Sequence, residues 1–144
     1  VGDGEYTIPI GVAEVKRVGH HATIIAYSKM LLLALEAADQ LSQEGIEVEV
    51  IDPRTLKPLD IPTIVASVKK TGRLVIVEEG WHFCGLGAQI AESVYAAAFD
   101  YLDAPIQRVT GEDVPMPYSR PLEDAAIPDK ARVIKAVKAL CAAQ

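Results

Sequence analysis

Short hydrophobic runs alternate with longer amphipathic stretches along most of this chain. The run Leu74-Val-Ile-Val77 is uninterrupted, as is typical of a strand buried on both faces of a parallel sheet. Segment 46–51 alternates apolar and polar residues, so we expect one of its faces to be less buried. Between such runs, apolar residues recur at helical spacing. The predicted strands are residues 12–15, 23–27, 46–51, 74–77 and 106–109, and the predicted helices are residues 29–43, 61–71, 87–99 and 128 onward.

This order of elements predicts an α/β fold: a three-layer α/β/α sandwich around a mixed five-stranded sheet that is mostly parallel. Segments 12–15 and 23–27 are separated by a short polar stretch with Gly19, which predicts a hairpin and therefore an antiparallel first strand. Residues 110–128 contain four prolines, and we expect them to follow the surface without forming an element.

Four residues are predicted to mark helix ends. Ser28 and Asp60 stand directly before predicted helices, where their side chains can accept free N–H groups of the first turn. Gly45 and Gly72 follow two predicted helices, and glycine readily adopts the left-handed conformation that ends many helices.

Composition and charge exclude several classes of protein. The 144 residues suffice for one domain with a buried core. No long apolar run and no basic-then-apolar leader is present, so we expect a soluble protein without a membrane segment. The net charge of -6 and the scattered Lys and Arg residues argue against nucleic acid as a partner. Cys84 and Cys141 lie far apart and form no Cys/His ligand set, which predicts no metal site and a reducing compartment.

The beginning of the chain predicts an excised fragment. It starts at Val1 without a methionine, and residues 1–11 are punctuated by Gly and Pro. We therefore expect residues 1–11 to be a linker or arm from a missing N-terminal domain, followed by one domain over residues 12–144.

Polar side chains follow three predicted parallel strands, and the carboxyl ends of such strands are where open α/β sheets bind ligands. A carboxylate beside a histidine there could perform acid–base chemistry. The structural alternative is that Arg54 pairs with Asp52 or Asp60, and that Glu78 accepts backbone N–H groups. The residues of this strand-end rim are Ser28, Asp52, Arg54, Glu78, Glu79 and His82.

Cys84 is a second candidate for chemistry. It precedes a predicted helix and lies two residues from His82, and both neighbours can activate a thiol. No second histidine or carboxamide has the spacing of a protease site, and the chain contains no asparagine. A free-standing α/β enzyme using Glu79, His82 and Cys84 stays open as an alternative.

Six stretches, in one order, resemble the carboxy-terminal domain of the pyruvate dehydrogenase beta subunit, a member of the transketolase C-terminal-domain superfamily. They cover nearly the whole chain, and the last two favour the pyruvate type. The stretches are Tyr6-Thr-Ile-Pro-Ile-Gly, Ile51-Asp-Pro-Arg-Thr-Leu-Lys-Pro-Leu-Asp60, Ser67-Val-Lys-Lys-Thr-Gly-Arg73, Val77-Glu-Glu-Gly-Trp81, Tyr101-Leu-Asp-Ala-Pro105 and Asp113-Val-Pro-Met-Pro-Tyr118.

The resemblance implies that the chemistry lies elsewhere. In the family, thiamine diphosphate and Mg²⁺ sit between an earlier domain of the beta subunit and the alpha subunit, and the complete enzyme decarboxylates pyruvate oxidatively and transfers acetyl to lipoamide. It implies no catalytic, cofactor-binding or metal-binding residue in this fragment, and no activity of the fragment alone. The strand-end rim then becomes a surface facing neighbouring catalytic domains.

The resemblance also implies partners. The family domain helps to assemble an α2β2 tetramer from alpha subunits and a second beta subunit, and it docks the peripheral subunit-binding domain of dihydrolipoyl acetyltransferase. Asp103 matches a family position that pairs with a basic residue of that partner. The resemblance implies that the terminal carboxylate, carried here by Gln144, also binds the partner, although the tail Cys141-Ala-Ala-Gln144 departs from related tails. A homodimer of the fragment stays open. The expected compartment is the bacterial cytoplasm, or the mitochondrial matrix in a eukaryote. The alternative is a branched-chain, acetoin or deoxyxylulose-forming relative.

Overall fold

The computed structural model describes residues 6–142, which form a five-stranded sheet with helices on both faces. The strands are β1 (Glu14–Arg17), β2 (Ala22–Ala26), β3 (Val48–Asp52), β4 (Leu74–Trp81) and β5 (Gln107–Gly111). The helices are α1 (Lys29–Gln43), α2 (Ile61–Thr71), α3 (Leu86–Ala98), α4 (Arg120–Ala126) and α5 (Lys130–Ala142), with a short 3-10 turn at Phe99–Tyr101.

The strand order is β1-β3-β2-β4-β5, and every neighbouring pair is parallel except β1 with β3. This confirms the predicted three-layer α/β/α sandwich with a mixed, mostly parallel sheet and an antiparallel first strand. Ile25 of the central strand β2 pairs with Ile51 of β3 and Ile76 of β4, so the apolar run of β4 lies inside the sheet.

The predicted hairpin of the first two strands is wrong. β1 runs in the expected direction but pairs with β3, because the connection between β1 and β2 passes across the start of β3. The backbone N–H groups of His20 and His21 both donate to the Glu47 carbonyl, at 3.0 and 2.9 Å. Gly19 lies directly against the backbone of Val48, where no side chain would fit. The sheet therefore gains β1 as an edge strand beyond β3.

Two apolar layers form because successive strand residues face opposite sides of the sheet. Ile24, Val50 and Val77 pack under α1 and α5. Ile25 and Ile76 pack under α2 and α3. Both faces of β2 are thus buried, and so are both faces of the first five residues of β4, which confirms the prediction from the apolar run of β4.

Two further predictions need correction. The alternating segment around β3 does not have a less buried face, because Glu49 is only 2% exposed and forms an ion pair with Lys70 of α2. The segment predicted to be irregular contains α4, which has Pro121 in its first turn, a position where proline is tolerated, and Glu123 near its positive end.

The Asp60 cap and the Gly72 stop are confirmed. The Asp60 carboxylate accepts the Thr63 N–H at 3.2 Å, and Gly72 ends α2 with a φ of 67°. Gly45, with a φ of 82°, follows the end of α1. Within residues 6–142, no helix combines the length and the apolar character needed to cross a membrane.

Candidate functional site

The strand-end rim lies at the carboxyl edge of the sheet, but its members are not brought together into one cluster. Glu78 and Glu79 are successive residues of β4 and therefore face opposite sides of the sheet. Ser28 follows β2, while Asp52 and Arg54 lie at the end of β3. His82 lies in the exposed loop between β4 and α3.

Glu78 is the most engaged residue of the rim. Its carboxylate is 1% exposed and accepts the N–H of Gly87 in the first turn of α3, at 3.1 and 3.0 Å to its two oxygens. It also accepts from the Arg108 guanidinium of β5 at 2.7 Å and from the Tyr27 hydroxyl at 3.1 Å. As the structural alternative predicts, Glu78 accepts a backbone N–H. Its oxygens are committed to holding β4, β5 and α3 together.

Tyr27 is coupled electrostatically to this carboxylate. Burial of the hydroxyl, and then the nearby Glu78 charge, raise the pKa of Tyr27 to about 12. Both causes disfavour a phenolate, so Tyr27 remains a hydrogen-bond donor to Glu78 across the physiological range.

Gly85 and Gly87 are required by the same ion pair. A Cβ atom on Gly87 would lie 2.9 Å from Arg108 Nε, and one on Gly85 would lie 2.8 Å from Arg108 Nη2. The Gly-Leu-Gly sequence therefore permits close packing of α3 on the strands.

Among residues 6–142, three residues other than glycine have positive φ angles, and all follow the carboxyl ends of strands. Ser28 has φ 55°, Arg54 has φ 56° and Cys84 has φ 53°. Such conformations cost about 1 to 3 kcal/mol each and tend to occur at functional surfaces. Ser28 precedes α1 as predicted, but its side chain makes no capping hydrogen bond, because an N-cap normally has extended backbone.

Arg54 pairs with a different acid from the two predicted. Its guanidinium forms an ion pair with Glu14 of β1, and only its backbone N–H reaches the Asp52 carboxylate, at 2.9 Å. Asp60 is occupied by the N–H groups of Ala13 and Thr63. The correction follows from the β1–β3 pairing, which brings Glu14 opposite Asp52.

The loop between β4 and α3 exposes its side chains. His82 and Cys84 are exposed, and within residues 6–142 no hydrogen bond joins either one to Glu79. Trp81 and Phe83 are 49% and 74% exposed. The loop thus presents aromatic surface rather than an assembled acid–base pair.

Asp103 lies at the opposite, amino edge of the sheet. Its carboxylate is 60% exposed, and its backbone N–H donates to the Gly72 carbonyl at 2.8 Å. The nearest cationic group is Arg73 Nη2, at 3.8 Å from Oδ2. Gln144, the second predicted partner-binding residue, lies outside the described residues.

A shallow surface groove of about 440 Å³ adjoins Asp103. Phe99 is 67% exposed beside it, and Asp100 adds a second acid. The groove therefore combines apolar surface with negative charge. Its lining is Tyr95, Phe99, Asp100, Leu102, Asp103, Ala104 and Pro105.

Sequence reasoning did not identify the residues that organise each edge. Arg108 and Tyr27 hold Glu78, and Arg73 stands beside Asp103. Arg108 is a charged residue inside a predicted strand. Because a buried arginine almost always has a partner, its position in the sequence is a signal for a buried ion pair. Arg73 has no comparable signal, since it follows a helix end where basic residues are common.

Comparison with known proteins supports one family. The model of the transketolase C-terminal domain matches residues 11–133. The chain is 55% identical to the "Pyruvate dehydrogenase E1 component subunit beta" of Rickettsia bellii over 93% of its length, and 50% identical to the mitochondrial protein of that name from Dictyostelium discoideum over 94%. These matches cover 41% and 38% of the two relatives, so the chain spans less than half of their length.

A solved structure agrees in fold. The chain superposes on a "Split gene transketolase, inactive beta4 tetramer" with a TM-score of 0.83 and 30% identity, covering 96% of this chain and 44% of that one. The family match, the relatives and the sheet order agree with one another. The chain belongs to the family of transketolase C-terminal domains.

Proposed function

We propose that this chain is the assembly and docking domain of a pyruvate dehydrogenase beta subunit, with residues 1–11 as its link to an earlier domain. The identity to beta subunits over nearly the whole chain supports this proposal. In the complete enzyme, the domain would support oxidative decarboxylation of pyruvate and acetyl transfer to lipoamide. Because both bacterial and mitochondrial relatives carry the domain, the compartment would be the bacterial cytoplasm or the mitochondrial matrix.

The described residues do not fit thiamine diphosphate and its Mg²⁺. Among residues 6–142, no group of three His, Cys, Asp or Glu side chains could hold a metal ion. Glu78 is already neutralised by Arg108. We therefore assign the cofactor, and with it the chemical steps, to the other parts of an α2β2 assembly with alpha subunits and a second beta subunit.

The strand-end rim is the surface that would face the neighbouring catalytic domains. This assignment is supported by three residues with strained backbone conformations, Ser28, Arg54 and Cys84. Strained conformations are found mainly at functional sites, where they preorganise the surface for binding. Trp81 and Phe83 add exposed aromatic area, which is enriched in protein interfaces. His82 and Glu79 would line this surface without performing chemistry.

The amino edge is the surface that would dock the peripheral subunit-binding domain of dihydrolipoyl acetyltransferase. The observation that carries this proposal is the exposed Asp103 carboxylate beside the apolar groove. The helices α1, α2, α3 and α5 all end at this edge, and their carbonyl ends favour a positively charged partner.

Nearby cations of the domain are engaged by other groups. Lys69 lies over the Tyr101 ring, 4.6 Å from its centroid. Lys70 forms an ion pair with the buried Glu49. Asp103 is therefore left with only a loose contact to Arg73 among the described residues, and can accept a cation from a partner.

The docking proposal is tested in the complete enzyme with the isolated subunit-binding domain. Asp103→Ala should weaken binding about two- to fivefold at low salt, the effect of an exposed ion pair worth up to about 1 kcal/mol. Asp100→Ala is the matched control, because Asp100 lies in the same groove and should change affinity less. Unchanged affinity of the Asp103→Ala enzyme at low salt would contradict the assignment.

The assignment of the cofactor to other domains has its own test. Calorimetry of this chain with thiamine diphosphate and Mg²⁺ should show no specific binding. Saturable binding in the micromolar range would overturn the proposal that this domain serves only assembly and docking.

A further inference from the structure

The side chain of Arg73 contacts three separate segments at the amino edge. Its Nε donates to the Leu140 carbonyl near the end of α5 at 3.1 Å, and Nη1 donates to the His21 carbonyl at 3.4 Å. Nη2 lies 3.8 Å from Asp103 Oδ2. One guanidinium, 19% exposed, thereby joins the start of β4, the entry to β2, the end of α5 and the segment that carries Asp103.

The contact with Leu140 matters because the last carbonyls of a helix have no partner within the helix. A cation at that end also interacts favourably with the helix dipole. Arg73 therefore links the last turn of α5 to the segment that carries Asp103. A lysine would keep the charge but lose the planar fork that reaches three acceptors at once.

Gly72 positions Asp103 from the other side. A Cβ atom on Gly72 would overlap the Asp103 carboxylate, and the Gly72 carbonyl accepts the Asp103 N–H. The carboxylate thus rests on the bare Cα of Gly72 with Arg73 beside it. Two adjacent residues of the α2–β4 connection define its location.

We propose that Arg73 is a positioning residue of the docking surface: together with Gly72, and itself held by the end of α5, it keeps Asp103 in one fixed position for a positively charged partner. This inference rests on the proposed docking function. Arg73 does not supply attraction itself, since its charge repels a basic partner. Its contribution is preorganisation, which lowers the entropic cost of binding.

Charge and positioning predict opposite results, which makes the proposal testable. If Arg73 acts only through its charge, replacing it with a neutral residue removes repulsion and strengthens binding of a basic partner. If Arg73 positions Asp103, the same replacement weakens binding, and so does Arg73→Lys, which preserves the charge.

The experiment measures binding of the isolated subunit-binding domain to the complete enzyme. Arg73→Lys and Arg73→Gln should each weaken binding about two- to fivefold, and Arg73→Lys combined with Asp103→Ala should bind no more weakly than Asp103→Ala alone. Arg120→Lys, at a surface position of α4, is the control and should leave affinity unchanged. Pyruvate decarboxylation with an artificial acceptor should stay at the wild-type rate in every variant.

A second pair of variants keeps the test independent of how well Arg73 variants fold. Gly72→Ala displaces the Asp103 carboxylate and should weaken docking, while Gly45→Ala has a similar positive φ but open space around its Cβ and should not. An ineffective Asp103→Ala would refute docking itself. If Asp103→Ala weakens binding, three results would refute only the positioning role of Arg73. These are unchanged or tighter binding of the Arg73 variants, additive losses in the double variant, and unaltered docking of Gly72→Ala.

Discussion

Arg108 and Glu78 form an ion pair of 2.7 Å beneath the first turn of α3, with side chains that are 10% and 1% exposed. The pair joins the edge strand β5 to its neighbour β4 and fixes the start of α3 through Gly87. Glu78, a candidate for chemistry by its sequence position, thus stabilises the fold, whereas the loop that follows β4 is exposed.

Neutralising this carboxylate should be costly. Glu78→Gln leaves a buried arginine without its counter-charge, and we expect the free energy of unfolding to fall by about 3 to 5 kcal/mol. Denaturant titration of the chain measures this loss. Glu79→Gln is the control, because Glu79 is only partly buried, and it should change stability by less than about 0.5 kcal/mol.

The coupling between the two partners provides an internal check of that first prediction. Combining Glu78→Gln with Arg108→Gln should cost less than the sum of the two single substitutions, because each single variant already breaks the pair. Additive losses would show that the two side chains contribute independently.

Adding a single methyl group to Gly87 should destabilise the same region. Gly87→Ala places a Cβ atom 2.9 Å from Arg108 Nε, and overpacking of this kind costs about 1 to 3 kcal/mol. Gly80→Ala is the matched control, since the nearest atom to its Cβ would be Glu78 Oε2 at 3.9 Å. Equal thermal midpoints for the two variants would contradict the close packing of Gly87 against Arg108.

Asp60 should make stability depend on pH in the acid range. Burial opposes its charged form, but the N–H groups of Ala13 and Thr63 and the Thr63 hydroxyl outweigh burial and hold the pKa of Asp60 below its usual value. The folded pKa is depressed, so this contribution is present above the unfolded pKa of about 3.9 and is lost as pH falls through the folded pKa.

Asp60→Ala should lower the free energy of unfolding at pH 7 by about 0.5 to 2 kcal/mol through loss of the cap. The difference from wild type should shrink in unfolding titrations below the unfolded pKa. Glu36→Ala, exposed on α1, serves as the control and should show no such convergence. A pH-independent difference would mean that the Asp60 charge has no role.

The ionisation of Tyr27 should be detectable by ultraviolet absorbance at alkaline pH. Its pKa of about 12 predicts a phenolate absorbance component near that pH, which Tyr27→Phe removes. Because the folded pKa is raised above the unfolded value of about 10, the associated stability is present below pH 10 and is lost as pH rises through 12. Persistence of the component in Tyr27→Phe would assign it to another group.

Much of the architecture followed from local patterns, and the errors have identifiable causes. The continuous apolar run of β4 and the helical spacing of α1 predict their elements because burial on both faces or on one stripe leaves a direct signal. The partner of β1 could not be predicted this way. A short connection favours a hairpin. Here the connection from β1 to β2 passes over Glu47 and Val48 at the start of β3, so β1 and β2 lie on opposite sides of β3.

The site errors follow from long-range pairing. Arg54 meets Glu14, forty positions away in sequence, only because β1 lies beside β3. Ser28 has the side chain of a cap but not its backbone, and φ angles of residues other than glycine leave no mark in the sequence. Residue types indicate which side chains can cap a helix or form an ion pair. Which residues they contact depends on the order of the strands in the sheet.

Strand β4 also sets a length. It begins next to Arg73, beside Asp103, and its eight residues end at Trp81, so at about 3.3 Å per residue it spans about 26 Å. Arg73 directly precedes the strand, Arg108 binds Glu78 in its second half, and the residues from Leu74 to Glu78 are buried. A partner that binds beside Asp103 at the amino edge therefore lies about 26 Å from the exposed aromatic side chains of Trp81 and Phe83. A flexible segment that starts at such a partner must span at least that distance to reach them.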